Sequence, residues 1–431
     1  MAAPLRIGLL GVGGVGGAVA TALVEKHELL AERVGRSLEL RRALVRDVAR
    51  PRPVPAEILT TDANAILDDP EIDLVVEVMG GEHPAHEYIL HALKAGKHVV
   101  TANKEVLAKH GPEILATAAA QGVDISFEAS VGGGIPVIGP FKLDLLANEI
   151  HEVRAIINGT TNYILTKMAA EGADFAAVLA EAQELGYAEA DPRNDVEGID
   201  AAYKLTILAS LAFHAVVRPE DVYHEGITGL TPADFRYARE LGYAIKLLAI
   251  ARNRAGKVEL RVHPVLLPEG DMLAKVDGVF NAIQLEGDLV GQALFYGRGA
   301  GPGPTSSAVI ADIIDLAQRS VAGTMKVHLP SYAPNAKFRP MAEVCTRYYL
   351  RLLVTDQPGV FAQIAQALGD AQISLNSVIQ KENVVLDDGK EFAEIVLMSH
   401  DAQESAMQQA VRAITNLDVV HSIGSLIRVE G

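Results

Sequence analysis

The amino-acid sequence predicts an α/β protein of several domains, with a parallel sheet near its N-terminus and a smaller α/β module at its C-terminus. In the first 100 residues, short apolar runs alternate with helical patterns, as in βαβ units that feed a parallel sheet. Residues 347–431 have the order strand, helix, strand, strand, helix, strand, which predicts a ferredoxin-like module. A chain of 431 residues is also too long for one hydrophobic core.

Changes in pattern divide the chain into four segments. Residues 1–130 hold the alternating strands and helices, and residues 131–325 mix both elements as an α+β domain. Within the latter, residues 297–317 are expected to return the chain to the first domain. Residues 326–345 are proline-containing and aperiodic, which indicates a linker, and residues 346–431 form the C-terminal module.

Composition excludes several classes of function. The formal net charge of −17 disfavours nucleic acid as a partner, and no apolar run approaches the roughly 18 residues of a membrane span. The single cysteine, Cys345, excludes an internal disulfide and lies far from the motifs below, so thioester chemistry is disfavoured. We therefore expect a cytoplasmic protein that acts on small molecules.

A glycine-rich turn, GVGGVG at residues 11–16, directly follows a predicted strand and opens a predicted helix. This context favours the dinucleotide site of a Rossmann domain over a flexible turn. Gly11 permits the tight turn, Gly13 lets the backbone approach a pyrophosphate, and Gly16 allows close packing of helix on strand. The candidate cofactor contacts here are Gly11, Val12, Gly13, Val15 and Gly16.

The end of the second predicted strand bears on the choice of cofactor. Arg46, with Arg50 nearby, could pair with the 2′-phosphate of NADP, whereas Asp47 could accept a hydrogen bond from the 2′-hydroxyl of NAD. Both residues could also be exposed loop charges. We expect NADP or NAD, with Arg46 favouring NADP.

Three further motifs together resemble the homoserine dehydrogenase family: TANK at residues 101–104, GYAEADP at 186–192 and DAAYKL at 200–205. The likeness runs from the glycine-rich turn to about residue 320. It implies the reversible NAD(P)H-dependent reduction of L-aspartate 4-semialdehyde to L-homoserine, on the path to threonine and methionine. It also implies that residues 131–325 form the substrate-binding and dimerisation domain of a homodimer or homotetramer.

Asp200 and Lys204 stand four residues apart, on one face of a predicted helix. Alone, this spacing is as expected for a surface ion pair worth only about 0.3–0.5 kcal/mol. The resemblance implies more: Lys204 exchanges the proton with the substrate oxygen, and Lys104 helps to hold substrate and nicotinamide. It further implies that Glu189 and Asp200 bind polar groups of the substrate, and that Gly186 and Gly303 touch the cofactor.

A glycine-rich loop is the candidate metal site. The resemblance implies a monovalent cation, Na⁺ or K⁺, at Glu128, Val131, Gly133 and Ile135. One carboxylate with several carbonyls suits such an ion. The alternative is a capped loop without metal.

Two other sets of polar residues allow either a functional or a structural interpretation. His83, His86 and His91 do not share a helix face, so we interpret them as solvated helix residues rather than metal ligands. Residues 158–162, NGTTN, either place polar groups near substrate or form a strand-to-helix turn capped by Thr160 or Thr161.

The C-terminal module carries DQPGV at residues 356–360 and ISLN at 373–376, and it resembles the ACT domain family, whose members bind amino acids. This implies an effector, which we expect to be threonine. The alternative is a purely dimerising module. Two rival functions for the whole chain are a regulatory protein that only senses nucleotide and a different hydroxy-acid dehydrogenase.

Overall fold

The computed structural model describes residues 3–321, 336–385 and 391–431. The predicted linker, residues 326–345, lies outside the described residues as far as residue 335. The chain divides into two compact units. The first comprises Met1–Val153, Tyr203–Asp221 and Phe280–Ala336, and the second comprises Arg154–Ala202, Val222–Val279 and Lys337–Gly431. Among the described residues, no helix is both long enough and apolar enough to cross a membrane.

The first unit contains a six-stranded parallel sheet, as the alternating pattern predicts. In spatial order its strands are Leu59–Thr60, Leu38–Leu44, Leu5–Leu10, Leu74–Glu77, His98–Thr101 and Ile125–Ser126. The chain adds strands Leu38–Leu44 and Leu59–Thr60 on one side of Leu5–Leu10, and then crosses to add Leu74–Glu77 on its other side. This change of side is the switch point at which Rossmann domains bind ligands. The predicted Rossmann domain is confirmed.

Helices and a hairpin complete this unit. The α-helices are Gly14–Glu25, His27–Val34, Asn64–Leu67, Ala85–Lys94, Lys104–Gln121, Ile138–Lys142 and Pro302–Val321, the 3₁₀ helices are Ala56–Ile58 and Glu128–Ser130, and the hairpin strands are Phe280–Gly287 and Gly291–Arg298. Helix Pro302–Val321 buries Val309 and Ile313 in the same core as Leu9 and Val76 of the sheet. The returning segment is therefore part of the nucleotide domain's core.

The last strand of the parallel sheet is short. It ends at Ser126, because Phe127 leaves the extended conformation with a ψ of 35°. Glu128 instead begins the 3₁₀ helix Glu128–Ser130.

The second unit joins the C-terminal module to an antiparallel hairpin through one sheet. In spatial order the strands are Tyr243–Arg254, Lys257–Pro268, Val420–Val429, Cys345–Thr355, Glu391–Ser399 and Leu375–Val385. The last four strands, with helices Val360–Asp370 and Glu404–Thr415, form the predicted ferredoxin-like module. The remaining helices that lie wholly in this unit are Gly159–Glu171, Phe175–Glu184, Arg193–Val196, Pro232–Glu240, Leu273–Lys275 and Met341–Glu343. Helix Ile199–Ala212, strand Ile150–Ile156 and the short elements Pro219–Asp221, Tyr223–His224 and Ala402–Gln403 complete the described structure.

Buried ion pairs join the module to the hairpin within this unit. The Arg428 guanidinium, 1% exposed, donates to Glu404 at 2.8 and 2.6 Å and to Glu225 at 2.9 Å on both oxygens. Arg261 on the hairpin donates to Glu430 at 2.5 Å, and Arg252 donates to the same carboxylate at 3.0 Å. Burial alone would raise the pKa of Glu430, but the two guanidinium groups outweigh it and lower the pKa to about 2.

We predict that Glu430→Gln lowers the free energy of unfolding at pH 7 by about 3–5 kcal/mol, because it leaves Arg261 buried without its full counter-charge. Since the pKa of Glu430 is lowered in the folded protein, this stability is present above the ordinary pKa of 4.5 and is lost as the pH falls towards 2. The difference in urea unfolding between the two proteins should therefore shrink at low pH.

The matched control is Glu343→Gln, because its partner Lys257 is 43% exposed and the pair is worth at most about 1 kcal/mol. Equal losses in the two variants at pH 7 would contradict the assignment of stability to the buried pair.

Candidate active site

The glycine-rich turn leads from strand Leu5–Leu10 into helix Gly14–Glu25. Gly11 has a φ of +100°, which other residues rarely adopt. A Cβ at Gly16 would lie 1.9 Å from the Gly11 carbonyl oxygen, so only glycine allows the helix to approach the strand this closely. A Cβ at Gly13 would meet nothing within 4 Å, and the backbone there borders open space. The turn thus has a tight inner side and an accessible outer side.

A cleft of about 710 Å³ borders this turn and is lined by Gly11, Val12 and Gly13 on one side. Arg46, Asp47, Arg50 and Arg52 line it as well. Arg52 donates to the Val12 carbonyl at 2.5 Å, and the Asp47 carboxylate accepts from the Ala49 amide at 2.9 Å, as in a local turn. Three arginines and one aspartate therefore line this cleft. Arg52 is engaged by the glycine-rich turn, and one Asp47 carboxylate oxygen is held in a local hydrogen bond.

A second cavity, of about 270 Å³, brings both candidate lysines together. Its lining includes Lys104 and Lys204, together with Val15 from the glycine-rich helix. Lys204 is 9% exposed. Gly303 lies in the first turn of helix Pro302–Val321, two residues before Thr305, which lines the same cavity. Two ammonium groups in a confined space can stabilise and protonate an oxygen that gains negative charge.

A fully buried carboxylate that sequence reasoning missed supports this cavity. Glu77, 0% exposed, accepts from the Thr101 hydroxyl at 2.6 Å and from the Met79 amide at 2.8 Å. Burial raises the pKa of Glu77 against these hydrogen bonds. Asn103, which caps helix Lys104–Gln121, donates to the Gly81 carbonyl at 2.8 Å. The sequence feature that could have identified Glu77 is a single carboxylate at the carboxyl end of an apolar strand.

Asp200 lies at the start of helix Ile199–Ala212, which also carries Lys204. It is 5% exposed and accepts a hydrogen bond from the Asn158 amide at 2.8 Å. Asn158 is the N-cap of helix Gly159–Glu171 and accepts from the Thr161 amide at 2.8 Å. The prediction of a Thr160 or Thr161 cap is wrong, because both threonines are already inside the helix while Asn158 keeps an extended backbone.

Gly186 and Glu189 belong to the second unit, in the segment after helix Phe175–Glu184. Gly186 has a φ of +74°, and both residues are exposed. Gln183 donates to the Glu189 carbonyl at 3.0 Å, which fixes the backbone of this segment.

In the loop predicted to bind a cation, the Glu128 carboxylate and the backbone carbonyls have different surroundings. The Glu128 carboxylate accepts from the amides of Val137, Ile138 and Gly139 at 2.6, 2.9 and 2.6 Å, and so holds the start of helix Ile138–Lys142. The three remaining candidates, all buried, are Val131, Gly133 and Ile135. Within the described part of the chain, none of their carbonyls accepts a hydrogen bond. Buried carbonyls without donors fit a hard cation.

The three histidines have different surroundings. His83 and His91 are 64% and 41% exposed and pair with Glu87 and Asp68, as solvated residues do. His86 departs from the prediction, because it is 14% exposed and stacks on His110 with ring centroids 3.9 Å apart. With Glu113 the two rings could offer ligand atoms to one ion, but parallel rings keep their in-plane lone pairs in separate planes.

Comparison with known proteins extends these observations. Residues 136–314 match the family model of homoserine dehydrogenase, residues 11–128 match that of the homoserine dehydrogenase NAD binding domain, and residues 348–419 match that of the ACT domain. A curated homoserine dehydrogenase from Synechocystis is 45% identical over 441 aligned residues, which cover 99% of each chain.

Solved structures agree. The crystal structure of a homoserine dehydrogenase from Thiobacillus denitrificans has a TM-score of 0.93 and 46% identity, and covers 99% of this chain and 98% of that one. A hyperthermophilic archaeal homoserine dehydrogenase in complex with NADPH has a TM-score of 0.63 and 27% identity, with coverage of 78% and 100%.

The nucleotide-binding sheet, the cavity with two lysines and the C-terminal module define an NAD(P)-dependent dehydrogenase with an ACT domain. The chain belongs to the homoserine dehydrogenase family. It therefore interconverts L-homoserine and L-aspartate 4-semialdehyde with NAD(P), which excludes both the nucleotide-sensing protein and the different hydroxy-acid dehydrogenase.

Proposed function

We propose that Lys204 carries the proton of the homoserine dehydrogenase reaction and that Lys104 positions the reactants. NAD(P) supplies or accepts the hydride when bound. Oxidation of homoserine then leaves the hydroxyl proton to be taken by a base, and the Lys204 amine takes it; in the reverse direction the ammonium returns it to the carbonyl oxygen. The observation that carries this proposal is the shared cavity, in which Lys204 is buried beside Lys104.

The substrate's polar groups require further partners. We assign Glu189 and Asp200 to this task, because carboxylates recognise the ammonium group of an amino acid. Asp200 is supported by its burial and by its place on the helix that carries Lys204. Gly186 and Gly303 are assigned to the cofactor by family resemblance.

We further assign the cofactor's pyrophosphate to the turn formed by Gly11, Val12, Gly13, Val15 and Gly16, with NADP preferred over NAD. The preference is supported by the arginines that line the cleft, which outnumber its one carboxylate, Asp47. The homoserine dehydrogenase solved with NADPH is consistent with it.

Lys204→Met should lower kcat for homoserine oxidation by roughly 10²–10⁴-fold and leave the affinity for NADP⁺ nearly unchanged, because it removes only the proton carrier. Lys104→Met, the matched variant in the same cavity, should raise KM as well as lower kcat. A Lys204→Met enzyme with near wild-type kcat would make Lys104 the proton carrier.

Arg46→Ala should weaken NADP(H) binding by roughly 10- to 100-fold and change NAD(H) binding little, because only NADP carries the 2′-phosphate. Fluorescence titration of both reduced cofactors measures this. Arg42→Ala is the control, since Arg42 lies on the preceding strand and points to Asp69 at 3.9 Å. Equal losses for both cofactors would remove the argument for a 2′-phosphate site.

The glycine-rich loop is proposed to bind Na⁺ or K⁺ through the carbonyls of Val131, Gly133 and Ile135, with Glu128 holding the loop. Activity at constant ionic strength should be higher in NaCl or KCl than in tetramethylammonium chloride, and Glu128→Ala should abolish the difference. Identical activity in all three salts would count against the ion.

The ACT module is proposed to bind an amino-acid effector, threonine, in a homodimer or homotetramer. Truncation before the module is a poor test, because it would strip Glu225 and Arg261 of their buried partners Arg428 and Glu430. Inhibition and light scattering of the full chain with and without threonine are therefore the appropriate measurements. A full-length enzyme that ignores threonine would assign the module another ligand or a structural role.

A further inference from the structure

Asn158 is a buried amide with all four of its hydrogen-bonding positions in use. Its oxygen accepts from the Thr161 amide at 2.8 Å and from the Thr161 hydroxyl at 3.0 Å. Its nitrogen donates to Asp195 at 2.7 Å and to Asp200 at 2.8 Å. The side chain is 5% exposed.

The helix cap fixes which way this amide faces. The N-terminus of helix Gly159–Glu171 presents backbone N–H groups and requires an acceptor, so the amide oxygen must turn towards Thr161. The NH₂ group is then directed to the opposite side, where both carboxylates meet it. Serine or aspartate at this position would cap the helix equally well, but neither offers two donors.

Two buried or half-buried carboxylates converge on this NH₂ group from different elements. Asp195 lies in helix Arg193–Val196, and Asp200 lies in the first turn of helix Ile199–Ala212. Because both carboxylates accept from the same nitrogen, their like charges lie close together and repel. The shared donor both reduces that repulsion and fixes the rotamers. The amide therefore ties the Asp200 carboxylate to a rigid helix start.

We propose that Asn158 is a positioning residue for substrate binding: it holds the Asp200 carboxylate in the orientation that receives the substrate's ammonium group. This inference rests on the proposed role of Asp200. Asn158 acts through Asp200, so its loss affects the binding of homoserine rather than the proton transfer at Lys204 or the binding of the cofactor.

The test compares Asn158→Ser and Asn158→Asp with wild type, since both variants keep the helix cap. KM for homoserine should rise by roughly 10- to 100-fold, kcat should change by less than about threefold, and KM for NADP⁺ should stay constant. Asn162→Ser is the matched control: this amide on the same helix is equally buried, but it donates to the Val276 and Gly278 carbonyls. It should lower the melting temperature without changing KM for homoserine.

A double-mutant cycle with Asp200→Asn separates the inference from the proposed function. Asp200→Asn alone should raise KM, and adding Asn158→Ser should have little further effect, because the amide acts through that carboxylate. If Asp200→Asn raises KM but Asn158→Ser and Asn158→Asp do not, the inference is overturned and the role of Asp200 stands. If Asp200→Asn leaves KM unchanged, both fail.

Discussion

The packing of helix Pro302–Val321 against the nucleotide-binding sheet is the interaction on which the first unit depends. The core of that sheet is completed by a segment that lies some 180 residues beyond Ile125–Ser126, its last strand. Ala308, Val309 and Ile313 belong to one buried hydrophobic core with residues of the sheet and of helix Gly14–Glu25. Without this helix, the apolar face of the strands would be exposed, so the glycine-rich turn would lack a rigid base.

The same helix start forms one wall of the cavity that holds Lys104 and Lys204. It also constrains the candidate cation loop. A Cβ at Gly133 would lie 2.4 Å from the Gly299 carbonyl oxygen, and one at Gly134 would lie 2.7 Å from the Pro304 Cβ. Core packing, cavity shape and loop conformation are thus consequences of one helix position. In the second unit, the corresponding constraint is the burial of charge, which Arg428 and Glu430 satisfy through paired partners.

Much of the fold was predictable because local periodicity carries it. The glycine-rich turn between strand and helix, and the strand–helix order of the ACT module, are both local patterns, and both were assigned correctly. The two lysines were identified through family motifs, and the structure brings them into one cavity. Glu77 was missed because a lone carboxylate at a strand end gives no periodic signal.

The remaining features of the site depend on contacts between residues that are far apart in sequence. The periodicity of the sequence does not show which of these residues come into contact. The contacts of the Asn158 amide with Asp195 and Asp200, and the stacking of His86 on His110, arise from tertiary placement of elements that are separately ordinary in sequence. Glu128 shows the same limit: its backbone leaves the strand, and its carboxylate is taken by three amides about ten residues further on. Such partners become visible only when the chain is folded.

In the proposed mechanism, homoserine is oxidised in the cavity lined by Lys104 and Lys204, and Lys204 takes the proton. A crystal structure of the full chain with homoserine and a non-reactive NADP analogue tests it most directly. We expect the homoserine hydroxyl oxygen at roughly 2.6–3.2 Å from the Lys204 Nζ. A hydroxyl that contacts the Lys104 Nζ instead, with Lys204 beyond hydrogen-bond reach, would contradict it.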